Sequence, residues 1–373
     1  MIKNKIIWGI VILIVVFGGL YIINNKKPSV DGPVKIGAVL PMSGDLAVIG
    51  ETALTAINIA TDEINAEGGI SGNNLEFIIE DSACDSGEAV KVTQKLISVD
   101  KLKIITGLIC SGEALSIIPV IEQADVFGFS LAATSPDLSG ISRNFARIFA
   151  SDAGQAETLA NYANENFEKV GILYESSDYS IANRTSFEKN FNGDTFSEKF
   201  VTDTRDVKTQ ITKILSNDVD AMFIIVQSPV TAEVVLSQSS NLGLNVPILA
   251  DVLTISSPGI AKKYSKLLEG AISAQVILDE TDGVEKFRNE FKERTGSEDV
   301  PFEVYAVAVY DGIHLLADGI RKEGYDANKV AEFVYKTNDR PGLSGYININ
   351  DDGDRVGAYK LLRLESGKLV PIK

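Results

Sequence analysis

The stretch LKIITGLICSGEAL, residues 102–115, joins two different patterns. A run of apolar, β-favouring residues passes through Gly107 to Cys110, and Ser-Gly-Glu follows at once, as is typical of the first turn of a helix. This junction predicts a buried strand that leads directly into a helix. Repeated along a chain, the unit builds a parallel sheet that helices cover on both faces.

The same alternation extends on both sides of this junction. Strand and helix patterns alternate from Val34 to about residue 150, and a second series begins near Asp152. Three helical patterns follow within 284–337, and a hairpin pattern covers 345–364. No Pro- or Gly-rich linker separates the two series. The sequence therefore predicts an α/β protein with two doubly wound lobes joined by direct crossovers.

The composition is that of a globular protein with a large acidic surface. The 373 residues are 45% hydrophobic and 23% charged, with a net charge of −16 and a pI near 4.6. The length suits about two domains of ~150 residues each. Nucleic-acid binding requires a basic surface, so the charge argues against that class of partner.

The N-terminus differs from the rest of the chain. Residues 6–23 read IIWGIVILIVVFGGLYII and contain no charge, and Lys3 and Lys5 precede them. This length fits a short transmembrane anchor, and a cleaved signal peptide is the alternative. Either segment would carry the remaining chain out of the cytoplasm to the periplasm or cell surface. Residues 1–33 are therefore expected to be a signal anchor, or transmembrane helix, with a linker.

Cys84 and Cys110 are the two cysteines of the chain. In an exported protein an even pair of cysteines favours a disulfide, although two unrelated buried thiols are the alternative. A metal site is less favoured, because the sequence lacks a CxxC motif and His314 is its one histidine. No metal or cofactor is expected.

Two strand ends carry groups suited to an anion. Ligands of open α/β sheets bind outside the carboxyl ends of strands, where helix N-termini present free N–H groups. Ser111 begins a helix after one strand. Ala132 ends another, before Thr134 and Ser135. Each hydroxyl could equally be a simple helix cap.

These residues belong to a longer pattern that resembles a known family. INAEGGISG at 64–72, DSACD at 81–85, GLICS at 107–111 and LAATSPDLS at 131–139 closely resemble the type I periplasmic binding proteins for leucine, isoleucine and valine that serve ABC transporters. The resemblance covers the chain after Val34. It implies two α/β lobes joined by three crossover strands near 149–152, 274–278 and 343–346. The lobes would comprise 34–150 with 277–343, and 151–276 with 344–373.

The resemblance also implies a disulfide and a set of ligand contacts. Cys84 would pair with Cys110 and so position the loop that carries Ser111. An amino-acid ligand would be held by its carboxylate and ammonium at Ser111, Ala132, Thr134 and, from VPILADVLT in the second lobe, Asp251. Ala133, which lies between Ala132 and Thr134, is also expected to contact the ligand. The family more often has glutamate at the position of Asp251, so the shorter aspartate requires a closer ligand; a plain turn residue is the alternative.

Selection of the ligand side chain is where the chain departs from the family. Ile49 and Gln227 occupy positions at which the family has aromatic residues, whereas Tyr179 matches an aromatic that packs over the ligand. Phe302 and Tyr305 fall at the pocket edge. Ile49 and Phe302 could equally be core residues. Fewer aromatics and one amide imply a ligand that differs from leucine.

Two other motifs are assigned structural roles. NINDDGD at 348–354 resembles half of a calcium loop, but Tyr359 stands where the twelfth-position glutamate belongs, so a hairpin turn is favoured. His314 lies in an apolar helical pattern with no partner nucleophile, and no acid–base pair is evident. An enzyme is therefore not expected.

The expected function is capture of an amino acid, branched-chain-like or other, in a cleft between the lobes for uptake by an ABC transporter permease. The alternative is a membrane-anchored receptor that senses an amino acid, an amide or a related small molecule. Lobe closure would follow from a ligand that contacts both lobes and so binds the closed state better.

Overall fold

A computed structural model describes residues 32–257 and 259–372. The first lobe is built on a five-stranded, fully parallel sheet in the order β2-β1-β3-β4-β5. Its strands alternate with helices along the chain, because the strands are apolar on both faces and need cover on each. The strands are β1 Val34–Leu40, β2 Leu75–Asp81, β3 Ile104–Gly107, β4 Phe127–Ser130 and β5 Phe145–Arg147.

Helices cover both faces of this first sheet. One face carries α2 (Ser86–Ser98) and α3 (Ser111–Ala124). The other carries α1 (Ala47–Ala66) and α12 (Glu303–Glu323) over the buried side chains of β1 and β4. Two more helices, α11 (Asp282–Thr295) and α13 (Ala327–Tyr335), also join this lobe.

The second lobe is built on a seven-stranded sheet in the order β12-β11-β10-β9-β8-β6-β7. Strands β6 to β10 are parallel, whereas β11 and β12 form an antiparallel edge. The strands are β6 Lys169–Glu175, β7 Asp194–Phe200, β8 Ala221–Ile225, β9 Ile248–Ala250, β10 Ile272–Gln275, β11 Lys360–Glu365 and β12 Lys368–Pro371.

Helices also cover both faces of the second sheet. One face carries α4 (Asp152–Asn166) and α5 (Asp178–Asn190). The other carries the remaining helices, namely α6 (Lys208–Leu215), α7 (Pro229–Asn241), α8 (Val252–Ser256), α9 (Ile260–Lys263) and α10 (Ser265–Leu268). Of these, α9 and α10 are each only about one turn long.

The predicted α/β class is therefore confirmed for the described residues. The predicted transmembrane or signal helix at 6–23 lies outside them. In the part of the chain that the structure describes, no helix combines the length and the hydropathy that a membrane span requires.

The chain passes between the two sheets three times, and we call these passages the hinge. The first passage follows β5 at 148–151, and the second follows β10 at 276–281. Residues 347–354 still contact the first lobe, since the main-chain N–H of Arg147 donates to the carbonyl of Gly353 over 2.9 Å. These contacts favour a third passage at 355–359, later than the expected 343–346. The division into lobes by residue number stays a prediction.

The hairpin expected at 345–364 forms only at its turn, where the N–H of Val356 donates to the carbonyl of Asn348 and the N–H of Asn350 donates to that of Asp354. The structure has an isolated bridge between Ile349 and Arg355 around the 351–353 turn, and the paired hairpin is β11 with β12. Tertiary packing explains the difference. The guanidinium of Arg147, which is fully buried, bonds to the Asp354 carboxylate over 2.6 Å and holds this segment against the first sheet.

Cys84 and Cys110 form the expected disulfide, with their Cα atoms 5.8 Å apart. The loop that it closes spans 26 residues, which corresponds to about 3.5 kcal/mol on the chain-entropy model. Gly107 lies inside this loop, just before Cys110, at φ +85°, where a Cβ would lie 2.2 Å from the carbonyl oxygen of Val39. Glycine is therefore required at the point where β3 turns toward Ser111.

Candidate functional site

A cavity lies where the carboxyl ends of the parallel strands of the two sheets face each other. It encloses about 490 Å³, its open mouth included. Both sheets contribute from the strands beside their topological switch points, where ligands of open α/β sheets bind. The lining residues are Leu46, Ile49, Ile109, Cys110, Ser111, Ala132, Thr134, Tyr179, Gln227, Leu253, Phe302 and Tyr305.

Ser111 presents a hydroxyl at the start of α3. The side chain of Glu113 accepts from the main-chain N–H of Cys110 over 3.3 Å and so helps to fix this helix start. Burial raises the pKa of Glu113 to about 7. The Ser111 Oγ accepts from the N–H of Ser135 over 3.2 Å, and because Ser111 lines the cavity, its own proton can be donated to a ligand there. The first N–H groups of α3 point the same way, since they lack intrahelical acceptors.

Thr134 offers two groups of opposite character. Its hydroxyl donates to the carboxylate of Asp152 over 2.6 Å. A hydroxyl has one proton, so the Thr134 oxygen can present only lone pairs to the cavity. Its main-chain N–H donates no hydrogen bond to any described residue. Thr134 can therefore bind an anion through its backbone and a cation through its side chain.

Asp152 was not among the predicted site residues. It is buried at the start of α4, and it also accepts from Asn183 over 3.1 Å and from the hydroxyl of Tyr359 over 3.0 Å. Burial raises its pKa, although these hydrogen bonds oppose the shift. The sequence signal was Ser151-Asp152, a pattern that usually marks only a helix start.

The structure does not place Asp251 on the cavity wall. One carboxylate oxygen accepts from the N–H of Thr254 over 2.7 Å and caps α8. The other accepts from the N–H of Val226 over 3.1 Å and from the hydroxyl of Tyr179 over 3.3 Å. Asp251 therefore lies behind Tyr179, which does line the cavity. The short aspartate side chain, used as a helix cap, accounts for this position.

The region behind the cavity is electronegative. Burial raises the pKa of Asp251, the nearby Asp152 adds to this shift and three protein hydrogen bonds oppose it, so that the pKa is about 7. Burial and the same two carboxylates raise the pKa values of Tyr179 and Tyr305 well above their usual range. A cation at this end of the cavity would stabilise both carboxylates in their ionised form.

The remaining predicted residues mostly meet at the cavity. Ala132, Gln227, Ile49 and Phe302 all line it. Ile49 and Phe302 are 8% and 7% exposed and also belong to the first-lobe core, so both interpretations of these positions hold. Ala133 does not line the cavity, because its N–H and carbonyl bond to Ser130 and Arg147 inside the lobe.

Three apolar wall residues, Leu46, Ile109 and Leu253, were missed from the sequence. Their apolar character gave no signal beyond that of core residues. Gln227 bridges the lobes, since its side-chain amide lies 2.9 Å from the sulfur of Cys84. Its main-chain N–H donates to Glu175 over 2.8 Å, which fixes the loop after β8.

Within 32–257 and 259–372, one cluster has three side chains of metal-ligating type: Cys84, Cys110 and Glu113. Both sulfurs are in the disulfide, so neither is available as a thiolate ligand. This cluster therefore supports the start of α3 rather than a metal site.

The chain was compared with known proteins. The family model for periplasmic binding proteins matches residues 33–368. The Leu/Ile/Val-binding protein BraC3 of Rhizobium johnstonii is 24% identical over 356 residues, which cover 92% of this chain and 95% of that protein.

Two solved structures share the fold. The branched-chain amino acid transporter substrate-binding protein LivJ of Streptococcus pneumoniae, in complex with isoleucine, is 23% identical, with a TM-score of 0.80 over 90% of this chain and 97% of that one. A solute-binding protein of an ABC transporter from Rhodopseudomonas palustris, in complex with 3,4-dihydroxybenzoic acid, is 22% identical, with a TM-score of 0.79 over 91% and 96%. The two-lobed fold and the disulfide in the first lobe agree with the family match. The chain belongs to the periplasmic binding proteins, as a type I member of the Leu/Ile/Val-binding group.

Proposed function

We propose that this protein captures an α-amino acid, branched-chain-like or other, outside the cytoplasm and delivers it to an ABC transporter permease. One observation carries the proposal: the cavity between the lobes presents anion-binding and cation-binding groups side by side, at Ser111 and Thr134. An α-amino acid has a carboxylate and an ammonium separated by one carbon, so it matches this pair.

The carboxylate pole lies at the ends of β3 and β4. The hydroxyl of Ser111, the first N–H groups of α3 and the main-chain N–H of Thr134 are its donors. The positive end of the helix dipole adds to their attraction for a negative group. Ala132 narrows the same corner with a methyl group.

The ammonium pole lies on the side of Asp152 and Asp251. The Thr134 hydroxyl oxygen, whose proton is donated to Asp152, accepts from the ammonium. Asp251 acts through the Tyr179 hydroxyl rather than by direct contact. This differs from the direct contact expected from the sequence, and it leaves the charge partner one side chain away from the ligand.

The side-chain end of the cavity is mostly apolar. Leu46, Ile49, Ile109, Leu253 and Phe302 supply its walls, and Gln227 adds one amide. An aliphatic or aromatic side chain fits this lining. Because Leu46 and Ile49 come from the first lobe and Gln227 and Leu253 from the second, one ligand contacts both lobes and favours the closed state.

The two solved structures contain ligands of two chemical classes. Isoleucine, bound by LivJ of S. pneumoniae, has both a carboxylate and an ammonium, whereas 3,4-dihydroxybenzoic acid, bound by the R. palustris protein, has only the carboxylate. The carboxylate pole would serve either class. The buried acids behind Tyr179 favour the ligand that carries a positive group.

Thermal unfolding of the full-length protein with a panel of ligands tests this proposal. The panel contains the twenty amino acids and a set of benzoates, each at millimolar concentration. A ligand at 100 times its Kd stabilises the native state by about 2.7 kcal/mol, which raises Tm measurably. An increase with one or a few amino acids supports the proposal, and an increase with benzoates alone favours a carboxylate transporter. No increase with any compound would contradict it.

A pair of variants checks the assignment of the site. Ser111→Ala removes the side-chain donor and should abolish the Tm increase with the active ligand. Ser116→Ala is the matched control, because Ser116 lies on the same helix and donates only to the carbonyl of Gly112. Retention of the full increase in Ser111→Ala would show that the ligand binds elsewhere.

A further inference from the structure

A second cavity lies behind the first, at the hinge. This hinge cavity comprises about 620 Å³, its opening to solvent included, and is bounded by residues of all three passages between the lobes, with Phe149, Val276 and Tyr359 among them. The other lining residues are Val252, Ser256, Gln275, Val300, Phe302, Glu303, Val304 and Tyr305.

Phe302 and Tyr305 line both cavities and so form the wall between them. The Tyr305 ring stacks on Phe149, with centroids 4.3 Å apart and planes within 4°. Phe302 and Tyr305 lie at the start of α12, where Phe302 precedes the helix in the left-handed conformation at φ 50°.

Tyr305 is attached to this wall by packing alone. The Tyr305 ring is only half-buried, and its hydroxyl makes no hydrogen bond with another described residue. Other polar groups around the hinge cavity are tethered: Tyr359 donates to Asp152, and the Gln275 amide bonds to Ser256. Rotation of the Tyr305 ring would therefore break no hydrogen bond.

The hinge cavity suits an apolar extension of a ligand. Phe149, Val252, Val276, Val300 and Val304 give it a largely hydrocarbon wall. Its carboxylate, on Glu303, is paired with Arg288, with a nitrogen–oxygen distance of 2.6 Å, and Arg288 also bonds to Glu280. A second charged group on a ligand would find no free partner of opposite sign among these described lining residues.

We propose that Tyr305 is the residue that sets the maximum ligand length, because its ring separates the ligand cavity from the hinge cavity. This inference rests on the proposed function, since it assumes that a carboxylate is anchored at Ser111 and Thr134. A tail that passes Phe302, which lies at the apolar end and lines both cavities, then ends against the Tyr305 ring. Removal of the ring joins the two cavities and admits acids with long apolar tails.

Calorimetric titration of the full-length protein with ligands of graded length tests the inference. The probes are phenylalanine, homophenylalanine and 2-amino-5-phenylpentanoic acid, and the three corresponding acids that lack the amino group. In Tyr305→Ala the Kd of the longest acid that binds should fall at least about tenfold relative to wild type, because two more methylenes become buried. The Kd of the shortest acid, which gains no burial in the hinge cavity, should not fall.

Three further variants keep the test decisive. Tyr305→Phe retains the ring and should keep the wild-type length limit. Tyr305→Leu replaces Tyr305→Ala if the latter does not fold. Adding Val276→Trp to Tyr305→Ala fills the hinge cavity and should restore the length limit.

An unchanged length limit in both ring-removal variants, with short acids still bound, would overturn the role of Tyr305 and leave the proposed function intact. Absence of binding by every acid in every variant would overturn both.

Discussion

The hydroxyl of Thr134 donates to the carboxylate of Asp152 over 2.6 Å, while the main-chain N–H of Asp152 donates to the carbonyl of Thr134 over 2.9 Å. Thr134 belongs to the loop after β4, whereas Asp152 begins α4 of the second lobe just after the first hinge passage. Thr134, which we propose as a ligand contact, is thus bonded twice to the point where the lobes join. We therefore expect ligand binding and lobe movement to act on the same few atoms.

Asp152→Asn should weaken amino-acid binding strongly. The amide loses the negative charge and leaves the Thr134 hydroxyl free to turn its proton toward the ligand ammonium. Loss of one partner from a buried charge interaction costs about 2–5 kcal/mol, or roughly 30- to 3,000-fold in Kd. Calorimetric titration measures the change. Asp137→Asn, at an exposed position near the same loop, is the control and should leave Kd unchanged.

Asp251 should make the ligand-free protein less stable as pH rises. Its pKa is about 7 in the folded protein, above its value of 3.8 in the unfolded chain. Between these two values the folded state binds more protons, so the free energy of unfolding falls as pH increases toward 7. Asp251→Asn removes this contribution.

Urea unfolding between pH 5 and pH 8 checks this contribution as a difference between wild type and variant, since Glu113 and Asp152 titrate in the same direction. The stability lost by wild type over this interval should exceed that lost by Asp251→Asn. Parallel profiles for the two proteins would show that Asp251 is ionised throughout.

Removal of the disulfide should affect both stability and binding. Replacement of Cys84 and Cys110 by alanine opens the 26-residue loop and should lower the free energy of unfolding by about 3.5 kcal/mol. The Kd should increase as well, because Cys110 immediately precedes Ser111. Reductant gives the control: it should reproduce the loss in wild type and have no effect on the double variant. Equal Kd values for the two proteins would show that the disulfide does not position the ligand-binding residues.

Gly107→Ala should destabilise the protein more than an ordinary left-handed glycine would. At Gly107 the added Cβ would lie 2.2 Å from the Val39 carbonyl oxygen, whereas at Gly243, with φ +72°, nothing lies within 4 Å of it. Gly243→Ala therefore measures the conformational cost alone, about 1–2 kcal/mol. Gly107→Ala adds the steric clash and should exceed it by at least about 2 kcal/mol. Equal losses of the free energy of unfolding, measured with denaturant, would mean that β1 and β3 move apart and relieve the clash at no energetic cost.

Much of the fold was predictable from local patterns. Residues 102–115 have the apolar run, the glycine and the helix start that produce β3 and α3, and neighbouring segments repeat that design. The disulfide was predictable as well, because only two cysteines are present in a chain that resembles exported proteins. Ser111 and Thr134 were found at the cavity because strand ends in parallel sheets converge, whereas Gln227 was found through the family resemblance.

The remaining features depend on contacts between distant residues. Asp152 was missed because its pairing with Thr134 is decided by how the first passage packs. Asp251 was correctly placed at a strand end, but its carboxylate caps α8, which its position in the sequence does not decide. Residues 347–354 have the pattern of a hairpin, yet the ion pair between Arg147 and Asp354 holds them against the first sheet.

A crystal structure of the complex with the amino acid that gives the largest increase in Tm tests the central claim most directly. We expect the ligand carboxylate within hydrogen-bonding distance of the Ser111 hydroxyl and the Thr134 N–H. The ligand ammonium should lie within hydrogen-bonding distance of the Thr134 hydroxyl oxygen. A carboxylate bound away from Ser111, or an ammonium directed away from Thr134 and Asp152, would contradict the account.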